Sequence, residues 1–216
     1  MCKNLVIIGA GGHGKVVADI ATKMKCWDSI RFLDDNKSIT NCLGFDVVGQ
    51  ISDAIKYRDC SDFFVAIGNN NIREKIQEDL IRRGFKIAIL LHPSAIIGTS
   101  VDIGIGTAIM AGAIINSSSK IGNGCIINTN SSLDHDNVVG DYVHVSPGVK
   151  TGGNINIGRL TWLGIGSVVS NSISICSSCK TGAGAVVVRD ITEPGTYVGV
   201  PVRRIVSDEN SDSSKF

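Results

Sequence analysis

Residues 97–138 read IGTSVD-IGIGTA-IMAGAI-INSSSK-IGNGCI-INTNSS-LDHDNV, seven hexads that each open on an aliphatic side chain. Stepping by six from Ile97 gives Ile103, Ile109, Ile115, Ile121, Ile127, Leu133, Val139, Val145, Thr151, Ile157, Leu163, Val169, Ile175, Thr181 and Val187. Fourteen of these sixteen positions are aliphatic, and the register never slips. Helices repeat near 3.6 residues and strands near 2, so neither produces this spacing. A period of six predicts one short strand and one turn per hexad, with the aliphatic residue pointing inward. Glycine follows at eight steps (98, 104, 122, 140, 152, 158, 164 and 182), where it is expected to supply backbone angles that other residues resist. Three hexads close one coil of 18 residues, so 97–187 predicts about five coils stacked about 4.8 Å apart, with no inserted loop. Small or β-branched residues four places on, such as Ala113, Ser119, Cys125 and Ser131, suit a narrow interior.

Outside this run the composition changes. Residues 1–95 carry 24 of the 41 Asp, Glu, Lys and Arg side chains and seven of the eleven aromatics, whereas residues 96–190 carry ten and two. Two differently built parts follow. The 216 residues hold 21 basic against 20 acidic side chains, leaving no excess charge to grip nucleic acid or an anionic membrane. Nowhere do eighteen apolar residues run together, and Leu5-Val6-Ile7-Ile8 is too short for a signal-peptide core. A cytoplasmic protein is expected. Seven cysteines without regular spacing point to reduced thiols.

The front part alternates strand and helix signals. Leu5–Ile8 reads as a buried strand, followed by Gly9-Ala10-Gly11-Gly12-His13-Gly14-Lys15 and a helical stretch from Val16 to Ala21. Gly9, Gly11 and Gly14 satisfy the G-x-G-x-x-G fingerprint, in which backbone N–H groups at a helix start approach a phosphate. Ile30–Leu33 ends in Asp34-Asp35, carboxylates able to accept hydrogen bonds from a ribose or base. Phe63–Ile67 ends in Gly68-Asn69-Asn70-Asn71, a helix is expected over 72–83, and Ile87–Leu91 is a fourth strand. These strand ends would line one crevice of a small parallel sheet, where open α/β folds bind ligands. A nicotinamide dehydrogenase is the obvious rival, but about 90 residues give half of the two-part dinucleotide fold. The rest of the chain supplies no dehydrogenase catalytic domain.

The hexad repeat resembles that of the hexapeptide-repeat acyltransferases, which wind a left-handed parallel β-helix. The order of the two parts, with Gly-Ala-Gly-Gly-His-Gly-Lys, Phe-Leu-Asp-Asp, Ala-Ile-Gly-Asn-Asn and Asp-His-Asp, is similar to the sugar acetyltransferases. That group includes sialic acid O-acetyltransferases and bacterial UDP-4-amino-sugar N-acetyltransferases; the resemblance spans residues 3–205 and is closer to the latter. It implies residues 1–92 as a Rossmann-like nucleotide-sugar-binding domain, 93–198 as the left-handed β-helix acetyltransferase domain, and a C-terminal segment from 199; within 199–216 the polar, serine-rich stretch from Ser207 to Phe216 is expected to be a disordered tail on its composition. It further implies a homotrimer with acetyl-CoA between neighbouring β-helices, no metal, and N-acetylation of a nucleotide-linked amino sugar. The alternatives are O-acetylation of sialic acid or another sugar, and a non-catalytic nucleotide-sugar-binding trimer or scaffold.

Residue by residue, the resemblance makes His135 the general base and Asp136 its orienting acid, although some members carry glutamate at that position. An imidazole titrating near neutrality suits proton removal from an attacking amine. His144, half a coil on, is expected at the thioester end of acetyl-CoA. Gly153, one coil after His135, is expected to present its N–H to the developing oxyanion. Ile165, Gly182, Arg203 and Arg204 are the further acetyl-CoA contacts, the two arginines suiting phosphates. The acceptor is expected on Gly11, Gly12, His13, Gly14, Lys15, Asp34, Asp35, Gly68, Asn69 and Asn70. Cys176-Ser177-Ser178-Cys179 has metal-pair spacing, but no second pair accompanies it.

Overall fold

The structure, a computed structural model, describes residues 3–205; the tail expected to be disordered lies outside the described residues from 206 on. The front part is a parallel sheet of β1 (Asn4–Ile8), β2 (Ser29–Leu33), β3 (Ser61–Val65) and β4 (Lys86–Ile87), in the order β2-β1-β3-β4. Helices α1 (Gly12–Met24) and α2 (Asn70–Arg82) make the crossovers. The chain leaves β1 toward one neighbour and returns on its other side, so the loops after β1, β2 and β3 converge at the topological switch point. The expected fourth strand over 87–91 is divided. Lys86–Ile87 stays in this sheet, while Leu90–Leu91 pairs with Ala108–Ile109 and opens the second part.

That second part is a parallel β-helix with three faces. Face one runs from Leu90–Leu91 through Ala108–Ile109, Ile126–Ile127, His144–Val145 and Trp162–Leu163 to Cys179–Thr181. Face two carries Ile96–Ile97 to Val186–Val187, and face three Asp102–Ile103 to Ser174–Ile175. Partners across each ladder are 18 residues apart, as in Ile115↔Leu133 and Leu133↔Thr151, so no loop is inserted. The inward column packs Ile109, Ile115, Ile121, Ile127, Leu133 and their successors with Ala113, Cys125, Val143 and Ile155 into one core. Leu133→Ala would leave a hole between two ordered rungs, a change worth about 2–5 kcal/mol.

The glycines do a different job from the one expected. Left-handed backbone falls three residues after each inward position, at Gly106, Gly112, Gly124, Asn130, Asp136, Tyr142, Asn154 and Leu160 among others. The glycines directly after inward residues do not have positive φ. They are required by close approach: a Cβ on Gly140 would lie 2.7 Å from the Arg159 nitrogen one coil away. Left-handed Tyr142 and Leu160 each carry a steric cost of about 1–2 kcal/mol, so something must hold them there.

That something is α2, which runs along the corner between faces three and one. Gln77 donates to Ile105 O at 3.2 Å, Arg73 to Gly124 O at 2.7 Å and Tyr142 O at 3.0 Å, and Asn70 to Leu160 O at 3.0 Å. A helix advances about 1.5 Å per residue, so residues 77, 73 and 70 step at intervals close to the coil rise of about 4.8 Å. The Tyr142 hydroxyl adds a 2.6 Å bond to Glu78, and Arg159 pairs with Glu74. Apolar packing continues across face one, where Leu90, Ala108, Met110 and Ile126 join Leu5, Ile7, Val17, Phe32 and Phe64 in a single cluster.

Candidate active site

His135 stands exposed at the corner between faces two and three. Its placement follows from the turn. The Asp134 carboxylate accepts the His135 N–H at 2.9 Å and a 2.9 Å bond from Asn116 one coil below, while buried Asn137 and Ser119 both donate to Asp134 O. Asp136 takes the left-handed position (φ 58°), a conformation aspartate tolerates, and its Oδ2 reaches His135 Nδ1 at 2.7 Å. A carboxylate only accepts, so Nδ1 carries the proton and Nε2 is left as the basic nitrogen. Hydrogen bonding to Asp136, then the charge of Asp134, raises the His135 pKa above its ordinary value. A Cβ on Gly153 would lie 2.6 Å from both Cε1 and Nε2, so only glycine permits this ring position.

A second candidate region is a cleft of about 450 Å³ at the carboxyl ends of β1, β2 and β3, lined by Gly9, Gly11, Gly12, His13, Asp34, Asp35 and Gly68 among others. Several expected ligand contacts prove to have structural duties. Asp34 accepts from Ala10 N–H (2.7 Å) and Asn36 N–H (2.8 Å), which sets the glycine loop and occupies both carboxylate oxygens. Asp35 accepts from Ile51 N–H at 3.0 Å through one oxygen and is exposed. A Cβ on Gly14 would strike the Gly9 carbonyl, whereas Gly11 and Gly12 face open space. The Asn69 side chain caps α2 by accepting from Ile72 N–H, and the Asn70 side chain binds the β-helix. Asn69 is exposed and keeps its side-chain Nδ2 unengaged among the described residues, whereas Asn70 is buried. Lys15 is exposed on α1.

His144 occupies a third environment, on face one against the front domain. Asn128 Oδ1 accepts from Thr129 N–H at 2.8 Å, so its Nδ2 is the donor to His144 Nε2 at 3.2 Å. The His144 proton therefore sits on Nδ1, which is buried and unpartnered among the described residues, as is His13 Nε2. Burial first, then the charge of Arg73, lowers the pKa of His144 to about 3 and of His13 to about 4. Trp162, one coil above, stacks on His144 at 5.3 Å between centroids, and Lys180 sits over the Trp162 ring. Sequence reading missed Trp162, although its 18-residue offset from His144 is the signal that finds it. Arg73 was also missed, and a charged residue on the buried face of a helix leaves no signal.

The remaining expected contacts scatter. Ile165 is exposed at the corner between faces one and two; at the same corner a Cβ on Gly182 would lie 2.8 Å from Val198 Cγ1. Arg204 is tied to Glu193 at 2.6 Å and to Pro194 O, while Arg203 is exposed. The Cys176 and Cys179 sulfurs are 3.4 Å apart as thiols. No group of three or more His, Cys, Asp or Glu is arranged to hold a metal among the described residues, and no helix among them is long and apolar enough to cross a membrane. In a triangular prism the corner between faces two and three lies opposite face one. His135 and Gly153 therefore sit on the far side of the β-helix from the cleft, His13 and His144 of the same chain.

A nucleotide-type cleft joined to a β-helix that displays a carboxylate-oriented histidine defines a two-part transferase of the hexapeptide-repeat class. The comparisons agree. Residues 4–80 match the PglD N-terminal domain model. The acetyltransferase domain of PglB from Neisseria gonorrhoeae FA1090, in complex with acetyl coenzyme A, is 37% identical with a TM-score of 0.92, covering 95% of this chain and 100% of that one. PerB from Caulobacter crescentus, in complex with CoA and GDP-perosamine, is 36% identical with a TM-score of 0.89, covering 94% and 97%. GDP-perosamine N-acetyltransferase of Escherichia coli O157:H7 is 28% identical over 173 residues, 77% of this chain and 78% of the relative. The chain belongs to the PglD-type family of hexapeptide-repeat sugar acetyltransferases.

Proposed function

We propose that the protein transfers the acetyl group of acetyl-CoA to the amino group of a nucleotide-linked amino sugar. The observation that carries this is the His135–Asp136 pair, with Nε2 free and Gly153 against the ring, in a family whose similar members bind acetyl-CoA and GDP-perosamine. His135 Nε2 removes the proton as the amine nitrogen attacks the thioester carbon. Asp136 holds the ring in the right tautomer and stabilises the imidazolium that forms. The Gly153 N–H stabilises charge on the carbonyl oxygen, and collapse breaks the carbon–sulfur bond, releasing amide and CoA thiolate, which takes up a proton. No acyl-enzyme is invoked, because neither the Asp134 nor the Asp136 flank of His135 offers a thiol or hydroxyl nucleophile.

The front part holds the acceptor in the cleft, the β-helix holds the donor, and the segment from 199 carries Arg203 to the CoA phosphates. His144, Ile165 and Gly182 lie on or beside face one and contact the donor of a site shared between copies. Two features support a homotrimer. His135 lies opposite its own cleft, so a neighbouring copy must supply the base; and exposed Ile96, Val168 and Ile165 leave apolar side chains on the flanks of the prism.

The test is a panel: acetyl-CoA with GDP- and UDP-linked 4-amino sugars and with sialic acids, followed by release of free thiol. Turnover with a nucleotide-linked amino sugar is expected. Turnover with sialic acid alone would make the enzyme an O-acetyltransferase, and none with any acceptor would leave a binding protein. Sedimentation should give a trimer at micromolar protein; a monomer would rule out a shared site.

A further inference from the structure

Arg73 is fully buried, yet it has no carboxylate partner among the described residues. An unpaired buried charge is costly unless every donor is satisfied, and here all five are placed. Nε donates to Gly124 O, one terminal nitrogen to Ile67 O (2.9 Å) and Gly68 O (3.1 Å), and the other to Asn70 Oδ1 (2.8 Å) and Tyr142 O. Burial lowers its pKa only to about 10, so it remains a cation. Two of these acceptors belong to coils of the β-helix, and two belong to the loop after β3, where Gly68 lines the cleft.

The loop bonds have a geometric consequence. A trans peptide carries its N–H on the edge opposite its carbonyl. With Ile67 O and Gly68 O drawn to the guanidinium, the Gly68 and Asn69 N–H groups are turned away from it, and neither donates to any described group. They stand at the start of α2, where a phosphate is favoured. We infer that Arg73 is the positioning residue of the acceptor site: it fastens the Ile67–Gly68 peptides to the β-helix so that their N–H edges are preset for the anionic part of the nucleotide. This rests on the reading of the cleft given above. Gln77 is the natural control, because it is also fully buried on the same helix face and also bonds the β-helix, but does not touch the loop.

The experiment measures GDP and UDP affinity by titration calorimetry for wild type, Arg73→Met, Arg73→Lys and Gln77→Leu, with acetyl-CoA affinity and melting temperature on the same samples. Arg73→Met should weaken the better-bound nucleotide about 10- to 100-fold, the effect of losing charge-assisted bonds, with acetyl-CoA unchanged. In turnover the loss should appear in the KM for the acceptor. Gln77→Leu should melt earlier yet bind nucleotide within about twofold of wild type, since it removes a single neutral hydrogen bond. Equal affinity in Arg73→Met, or equal weakening in Gln77→Leu, would overturn the role. If Arg73→Met does not fold, Arg73→Lys decides: it keeps the charge but offers three donors, so about fivefold weaker binding is expected and wild-type binding overturns the inference. Wild type binding neither nucleotide would overturn the reading of the cleft itself, and with it the role of Arg73.

Discussion

His135 and His144 are nine residues apart and meet opposite electrostatic surroundings. His135 projects into solvent between two carboxylates, with its pKa raised by the Asp136 bond and the Asp134 charge. His144 lies under the front domain beside Arg73 and His13, with its pKa pushed down to about 3 by burial first. Half a coil of β-helix, with the single strand Val138–Val139 between, separates an imidazole of raised pKa from one kept neutral. Residue type therefore decides little in this fold. The face or corner on which a residue falls decides whether it can move a proton or only hold a position.

The comparison breaks most visibly at His135. His135→Ala should lower kcat about 10²- to 10⁴-fold, the usual range for a general base, while both substrates still bind; activity within about threefold of wild type would return this histidine to an ordinary surface role. Asp136→Asn sharpens the point through pH. The carboxylate raises the His135 pKa, so removing it should move the acid limb of kcat/KM to lower pH, because the ring then loses its proton more readily. A limb left in place would dissociate Asp136 from the titration.

Gly153 sets the geometry of the same corner. An alanine methyl would fall 2.6 Å from the His135 ring, which must then swing out of place. Displacement of a reacting group by about 1 Å costs on the order of 10²-fold, so Gly153→Ala should reduce kcat by about 10- to 100-fold. Its φ is not left-handed, so the melting temperature should hardly move. A fall in stability without a fall in kcat would contradict the placement.

How far the sequence could be read depends on whether a feature repeats. The hexad register, the 18-residue coil and the surface position of His135 all follow from one period, and the structure keeps that period from Ile97 to Val187. The role of glycine was misassigned because both uses, positive φ and close approach, look alike in a string of letters. The split of 87–91 was invisible since Ile87, Ala88, Ile89, Leu90 and Leu91 form one unbroken apolar run. Asn69, Asn70 and Asp34 read as ligand contacts because they are polar and sit in loops. The partners of Asp34 and Asn70, Ala10 N–H and Leu160 O, lie 24 and 90 residues away and no local pattern announces them, whereas the bond from Ile72 N–H to Asn69 is the ordinary helix N-cap pattern.

The smallest effect concerns stability in acid, and it tests the buried side of the comparison. In the unfolded chain His13 and His144 titrate near the ordinary value of 6.5, whereas in the folded protein they resist protonation until about 4 and 3. Between those values the unfolded state binds more protons than the folded one. By linkage, stability then rises with pH across this window and is lost as pH falls below about 6.5. Above 6.5 both states are neutral at these sites, so the pair contributes no slope. His135 acts in the other direction, since a raised folded pKa favours the folded state in acid, but it is exposed and its share is small. Urea midpoints measured from pH 7 to pH 4 should fall for wild type and fall less steeply for His144→Asn, which keeps a polar side chain without a titrating one. The difference should vanish near pH 7.5 after allowing for a constant offset from altered packing. Parallel curves across the window would mean that His144 takes up its proton as freely folded as unfolded, and the contrast with His135 would collapse to one of exposure alone.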